Sequence, residues 1–391
     1  MRKIKKLLFR SLSWVLALYR SRSKFRYLEN LKNGPAHVYL QENHAPELSR
    51  NEIMAVDDYW GQFGIKIRDY CWFRHFKHVT GVFSPRYIPN DIYAAIIALR
   101  YNATRSESYW IAWKDKNYFE RFVPGIPFPK VALRRIHGRY LRSSGEVLPD
   151  VDQAARCVLD FVNNNSESHV IVKDAISSGE GRGVRKYDIS SVEDAKAMLA
   201  EWSSDNFLVQ VCVRQHPFFA RFNPDSVNVM RLTTWRHEDK VELLAPTLRF
   251  GIKGSVTDVT YVNGVETVNL VGIDADGRVK DFAYTADGQC KPISSIIGKD
   301  GSLIVPRWQN IVSMVKRAHL LLDHFDIVGW DVIVDEKDQI VVIEYNIKRP
   351  GTVFYQYCHG PFWGSHTDEM LAFLREPQNR DRCIPKQFRC K

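Results

Sequence analysis

Several kinds of site are missing from this 391-residue chain. Its seven cysteines, Cys71, Cys157, Cys212, Cys290, Cys358, Cys383 and Cys390, are odd in number and scattered, with no C-x-x-C. That argues against a disulfide framework and a cysteine zinc site, and for a reduced, cytosolic compartment. The Walker string G-x-x-x-x-G-K-[ST] does not occur. Acidic residues are absent before Glu29, whereas Arg2, Lys3, Lys5, Lys6, Arg10, Arg20, Arg22, Lys24 and Arg26 precede it. The net charge of +10 is thus an amino-terminal feature. The remainder is nearly balanced, and no nucleic-acid partner is expected.

Long apolar runs are also missing. Ile4, Leu7, Leu8, Leu12, Val15, Leu16 and Tyr19 recur at helical spacing, but the run is too short to span a bilayer. No small-residue cleavage site follows it, which speaks against a signal peptide. Two readings stay open. A basic amphipathic helix lies on an anionic membrane face, or the stripe packs on the body of the protein. The chain contains no internal repeat, low-complexity tract or long linker.

What is present centres on His169 to Lys186, HVIVKDAISSGEGRGVRK. A short apolar strand-like run ends at Lys173. The chain then passes Ser177, Ser178, Gly179, Gly181 and Gly183 and resumes as a strand. Alternate glycines let several backbone N–H groups approach one anion, and Lys173 adds a mobile cation. The glycines read G-x-G-x-G and lead into a strand, unlike the dinucleotide fingerprint, which opens a helix. The expectation is a glycine-tipped hairpin over a polyphosphate, against the alternative of an ordinary flexible hairpin. A helix starts after it, with a capping-box pattern at Ser190-Ser191-Val192-Glu193.

Residues 45 to 113 are rich in aromatics, read as core-forming helices joined by short turns. A helix is expected from Val151, a buried strand at Phe207 to Val213, and strands at Val229–Arg236, Val241–Phe250, Thr267–Ile273 and Arg278–Tyr284. A further helix is expected over Trp308 to His324. Ile327–Val334 and Gln339–Tyr345 flank the polar turn Asp335-Glu336-Lys337-Asp338, a β-hairpin signal. Alternation puts Glu344 and Asn346 on one face. A regular ladder sets Asp331 opposite Val342 and diagonal to Glu344, with Val342 and Ile340 sharing that face. Two acids and an amide among apolar strands call for neutralisation. Mg2+, an oxygen-seeking cation, suits Asp331, Glu344 and Asn346.

Asp115-Lys116, Val172-Lys173 with its glycine hairpin, the FLVQVCV strand, Asp331 and Glu344-Tyr345-Asn346 together resemble the ordered signature of the ATP-grasp superfamily. The strings Tyr87-Ile88-Pro89-Asn90-Asp91-Ile92, Ser226-Val227-Asn228-Val229-Met230-Arg231 and Ile343-Glu344-Tyr345-Asn346 narrow the resemblance to the sugar-transfer-associated ATP-grasp proteins of bacterial capsule and exopolysaccharide synthesis, from about residue 45 to 370. The resemblance implies an α+β ATP-grasp fold: two α+β lobes with a glycine-hairpin lid over an antiparallel sheet, preceded by a helical region. It implies that Lys116 and Lys173 contact ATP phosphates, that Gln210, Val211 and Val213 line the adenine slot, and that Arg231 and Arg249 face the γ-phosphate or a substrate carboxylate. The cofactors would be ATP and Mg2+. One departure is Asp258-Val259 with Asn263-Gly264, where an Asp-Asn pair and then Gly-Gly are expected.

The organisation read from the chain is a basic helix and linker (1–44), a mostly helical region (45–165), a lid subdomain (166–215), a core with the metal hairpin (216–375) and a basic tail (376–391). The function expected is an ATP- and Mg-dependent carboxylate–amine ligase acting through an acyl phosphate. Its substrate would be a small or lipid-linked sugar, or an amino-acid component, of a surface polysaccharide. Its place would be cytoplasmic, or peripheral at the inner membrane face. A kinase for a sugar hydroxyl and a non-catalytic glycan-assembly module are the alternatives.

Overall fold

The computed structural model describes residues 34–102, 112–166, 168–176, 183–262, 265–298, 302–348 and 350–373. The expected amino-terminal stripe, the basic tail, Ser177, Ser178, Gly179, Gly181 and Asn263-Gly264 lie outside the described residues. The described residues fall into two compact units, those within 1–96 and 365–391 forming one and those within Ile97–Gly364 the other.

In the described part of the first unit, α1 (Pro35–Glu42), α2 (Arg50–Gly61) and α3 (Cys71–Thr80) are the main helices. A complete capping box, Ser49 with Glu52, starts α2, and Gly81 in the left-handed conformation ends α3. The aromatics fill the core as expected: Trp60, Phe73, Phe76 and Tyr87 are essentially fully buried. Tyr87 stacks on Phe76 at 4.7 Å between centroids.

The second unit carries two antiparallel sheets, giving the mixed α+β class expected. The first sheet runs β3-β2-β1-β6-β4-β5. Its strands are β1 (Val131–Ile136), β2 (Arg139–Arg142), β3 (Val147–Leu148), β4 (His169–Asp174), β5 (Val184–Asp188) and β6 (Phe207–Val211). Helices α4 (Val151–Asn164) and α5 (Val192–Glu201) pack on it through Ala154, Val158, Ala195 and Leu199. The expected glycine hairpin is β4–β5, with Lys173 opposite Val184. Gly183 has φ +71°, and a Cβ there would stand 2.9 Å from Asp174 Oδ2, so only glycine fits. Three strands of this sheet, β1 to β3, come from the stretch read as mostly helical, so the lid boundary at 166 cuts through one sheet. The paired arginines Arg134-Arg135 interrupt the alternation that marks a half-buried strand.

The second sheet runs β13-β12-β11-β8-β7-β14-β15. It comprises β7 (Val229–His237), β8 (Lys240–Phe250), β11 (Asn269–Ile273), β12 (Val279–Thr285), β13 (Cys290–Pro292), β14 (Ile327–Val334) and β15 (Ile340–Asn346). Between β8 and β11 lies the short hairpin of β9 (Thr260–Val262) and β10 (Val265–Thr267). Helix α6 (Trp308–His319) covers the large sheet with Trp308, Ile311, Val315 and Ala318. It stops at His319, short of the expected His324, and Leu321 is exposed. The capping box of α5 is Ser191 with Asp194, one residue later than read, because Asp194 accepts from the Ser191 N–H while Ser191 Oγ accepts from the Asp194 N–H.

No helix among the described residues is long and apolar enough to cross a membrane.

Asn102 ties the unit together. Its buried amide oxygen accepts from the Asp326 and Ile327 N–H groups, and its nitrogen donates to the Ile327 and Ile347 carbonyls at 2.7 and 2.6 Å. Asn102→Leu leaves these backbone groups without partners, each costing about 1–3 kcal/mol. A loss of at least about 3 kcal/mol in urea unfolding, with an unchanged slope, is the expected outcome.

Candidate functional site

The site begins with an irregularity in one strand. Asp331 pairs directly with Glu344, while the next pair is Val332 with Val342, so Ile343 is an extra residue in β15. This bulge corrects the regular ladder read from sequence. Asp331 is opposite Glu344, not Val342, and Val342 points into the core beside Val332. Val342 and Ile340 therefore do not share the Glu344 face. Asn346 does: its Nδ2 donates to Asp331 Oδ2 at 3.2 Å and to Glu344 Oε1 at 3.3 Å.

The bulge also turns the Ile343 carbonyl outward, and it accepts from Lys173 Nζ at 3.3 Å. Lys116 reaches the same place from the segment before β1, its Nζ 3.5 Å from Glu344 Oε2. That segment is held by Lys116 N–H to the Ala175 carbonyl and by Tyr345 OH to the Trp113 carbonyl. Lys116, Lys173 and Gln210 line a small open cleft with Phe119, Glu120, Phe128, Val131, Arg134 and Ile343. The cleft brings Lys116, Lys173 and Gln210 together next to Glu344. Val211 and Val213 are half-buried and do not line it. Gln210 itself faces inward, its amide donating to the Pro129 carbonyl. Sequence reading missed Phe119, Glu120, Phe128 and Arg134. Arg134 is bonded to Glu120 and the Asn117 carbonyl, and the basic residue inside an apolar run was the available signal.

Arg231 and Arg249 lie on the same sheet face, where β7 places Arg231 opposite Asp331. Asn228 sets the start of β7: its amide donates to the Phe219 and Asn223 carbonyls and accepts from Ser226 Oγ. Arg231 grips Asp331 with two bonds, Nε to Oδ1 at 2.6 Å and Nη2 to Oδ2 at 2.9 Å. Arg249 Nη2 lies 3.2 Å from Asp331 Oδ1, and its Nε lies 2.7 Å from Asp258 Oδ2 without the alignment of a hydrogen bond. All four side chains are buried.

These contacts set the charges. Burial pushes the Asp331 carboxyl up, but Arg231 and Arg249 outweigh it and hold the group below the usual carboxylate range. Burial raises Asp258, and Arg249 only partly opposes this. Lys173 is pushed down to about 8: burial disfavours its charge and Lys116 adds repulsion, while Glu344 and Asp331 partly offset both.

The oxygens of Glu344, Asn346 and Asp331 form a hard donor set that fits Mg2+. Glu344 and Asn346 are half-exposed to the cleft. Asp331 differs. Arg231, Arg249 and Asn346 together fill the roughly four acceptor positions of a carboxylate, so it would ligate a cation only by giving up one of them. The two arginines read as catalytic are here ion-paired to carboxylates.

The sequence matches the family described as sugar-transfer associated ATP-grasp over residues 114–362, well over half of the chain. The chain belongs to the sugar-transfer-associated ATP-grasp family. ATP and Mg2+ are the cofactors of ATP-grasp proteins. Among solved structures, it is similar to D-alanyl-alanine synthetase A from Vibrio cholerae O1 biovar eltor str. N16961, at 10% identity and TM-score 0.40, covering 67% of this chain and 65% of that one. It is similar to the ATP-grasp ligase PsnB complexed with minimal precursor, at 13% identity and TM-score 0.38, covering 70% and 63%. It is also similar to D-cycloserine synthetase DcsG, at 15% identity and TM-score 0.35, covering 68% and 70%. The chain spans under two thirds of the length of the first two structures. No curated protein matches it.

The depressed Lys173 gives this ATP-grasp protein a pH signature. Were Lys173 to hold a polyphosphate, it would do so as the ammonium, which the free protein loses as pH rises through about 8. ATP affinity is expected to fall between about pH 7 and about pH 9.5, by up to roughly tenfold per unit above the folded pKa. In Lys173→Arg, whose cation does not titrate in this range, calorimetry should show a flat profile.

Proposed function

We propose that this chain is an ATP- and Mg2+-dependent carboxylate–amine ligase, or one using a similar nucleophile, that works through an acyl phosphate. The observation that carries this reading is the meeting of Lys173, from the six-stranded sheet, with Lys116 and the Glu344–Asn346 stretch of the seven-stranded sheet. ATP would supply the phosphoryl group and Mg2+ would neutralise its oxygens. Lys116 and Lys173 would hold the phosphates from two sides, so that charge growing on the transferred group meets prepositioned cations. Glu344 and Asn346 would hold the cation. Phe119 and Phe128 would keep water from the cleft, which favours attack by an amine over hydrolysis.

The family description supports a role in sugar transfer. We place the substrate as a sugar or amino-acid component, free or lipid-linked, of a bacterial surface polysaccharide. The protein would work in the cytoplasm, with the basic amino-terminal stretch against the inner membrane face.

Screening ATP consumption against uronic acids and amino sugars paired with amino acids tests this. The ligase reading expects ADP, free phosphate and an amide in equal amounts. A phosphorylated sugar without free phosphate would replace it with a kinase. Glu344→Ala and Lys173→Ala should each lower ADP release by at least about 100-fold, by analogy with the loss of one transition-state donor. Turnover unchanged in both would reject the site.

A further inference from the structure

The first unit holds a cluster of metal-ligating groups that nothing in the nucleotide site uses. His37 on α1, Asp69 just before α3 and Cys71, the first residue of α3, converge. One ligand atom of each lies within 4.8 Å of the other two. His37 Nε2 is 2.7 Å from Asp69 Oδ2. The other carboxylate oxygen, Oδ1, accepts the Cys71 N–H at 2.8 Å. The two oxygens divide the work: Oδ1 holds the first N–H of α3, and Oδ2 is hydrogen-bonded to His37, the bond that a metal ion would replace. Cys71 is a buried free thiol, whereas His37 and Asp69 are half-buried, so the cluster opens to solvent on one side.

The geometry points to a Zn2+ site built from His37 Nε2, Asp69 Oδ2 and Cys71 Sγ, with the fourth position open to water. The donor set of one nitrogen, one oxygen and one sulfur suits zinc, which takes all three in tetrahedral geometry. Zinc–ligand lengths put neighbouring ligand atoms about 3–4 Å apart. On binding, the His37–Asp69 hydrogen bond of 2.7 Å opens by roughly half an ångström and the cysteine sulfur closes in by up to about 1 Å, both within reach of side-chain rotation. Without the ion, burial and the neighbouring Asp69 carboxylate keep the Cys71 thiol protonated. On binding, the thiol proton leaves to solvent, and the metal lies between sulfur and carboxylate. The scarcity of paired cysteines excluded a cysteine-rich zinc site. It leaves this mixed one, assembled from residues 34 positions apart, untouched.

Co2+ serves as the probe, because cobalt bound to a thiolate absorbs in the near ultraviolet. Titration of the full-length, metal-free protein should give that band, saturating at about one equivalent and displaced by Zn2+. The band should vanish in Cys71→Ser and weaken at least tenfold in apparent affinity in His37→Gln. It should persist in Glu344→Ala, which removes an oxygen from the nucleotide site. His37→Gln alters a half-exposed ring, so its circular dichroism should match the wild type and it decides the question even where Cys71→Ser folds poorly. The proposal is overturned by the absence of a thiolate band, by its survival in Cys71→Ser, or by an unchanged affinity in His37→Gln.

Discussion

Charge taken out of water is the constraint that organises the second unit. Arg231, Arg249, Asp258 and Asp331 are all buried, and an unpaired ion there costs several kcal/mol. Adjacent strands hold Arg231, Arg249 and Asp331 together, and the segment after β8 brings Asp258 to Arg249. Arg231 stands opposite Asp331 across β7 and β14, and Arg249 reaches both Asp331 and Asp258. Glu344 and Asn346 extend this polar row to the edge strand, where the sheet meets the cleft. The apolar core on the opposite face, with Val332, Val334 and Val342, fixes which way every one of these side chains points.

This pairing changes the part played by the arginines. Two guanidinium groups facing two carboxylates contribute little net positive charge to an incoming anion. Their first role in the resting protein is to keep Asp331 ionised and fixed in place. The cations that we propose to meet a phosphate, Lys116 and Lys173, line the cleft. Lys173 bonds a main-chain carbonyl, and Lys116 lies near one carboxylate at 3.5 Å. The bidentate grip, at 2.6 and 2.9 Å, is thus in the arginine–carboxylate pair, not in the lysine contacts given above.

Much of this was readable in the residues. The hairpins at 169–188 and 327–346, the strands β7, β8, β11 and β12, and the helices α4 and α6 follow from hydrophobic periodicity, which burial imposes directly. Glu344 and Asn346 were placed on one face by alternation alone. Alternation failed where the backbone left its regular path. The bulge at Ile343 has no local signature, since Ile343 is as apolar as its neighbours, and it moved Asp331 from diagonal to direct opposition. Strands β1 to β3 were hidden by Arg134-Arg135 and by the proline-rich turn before them. The partners of Arg249 were not legible because Asp258 and Asp331 are far apart in sequence and meet only through the sheet. The cleft residues Phe119, Phe128 and Arg134 depend on the same long-range closure.

The extra residue in β15 has an architectural consequence. The contact it offers Lys173 is a peptide oxygen, which every amino acid at position 343 except an altered backbone would still present. The docking of the lysine in its idle position is therefore insulated from side-chain drift at 343. The stretch around 343 can vary its apolar filling while the berth for the lysine stays the same.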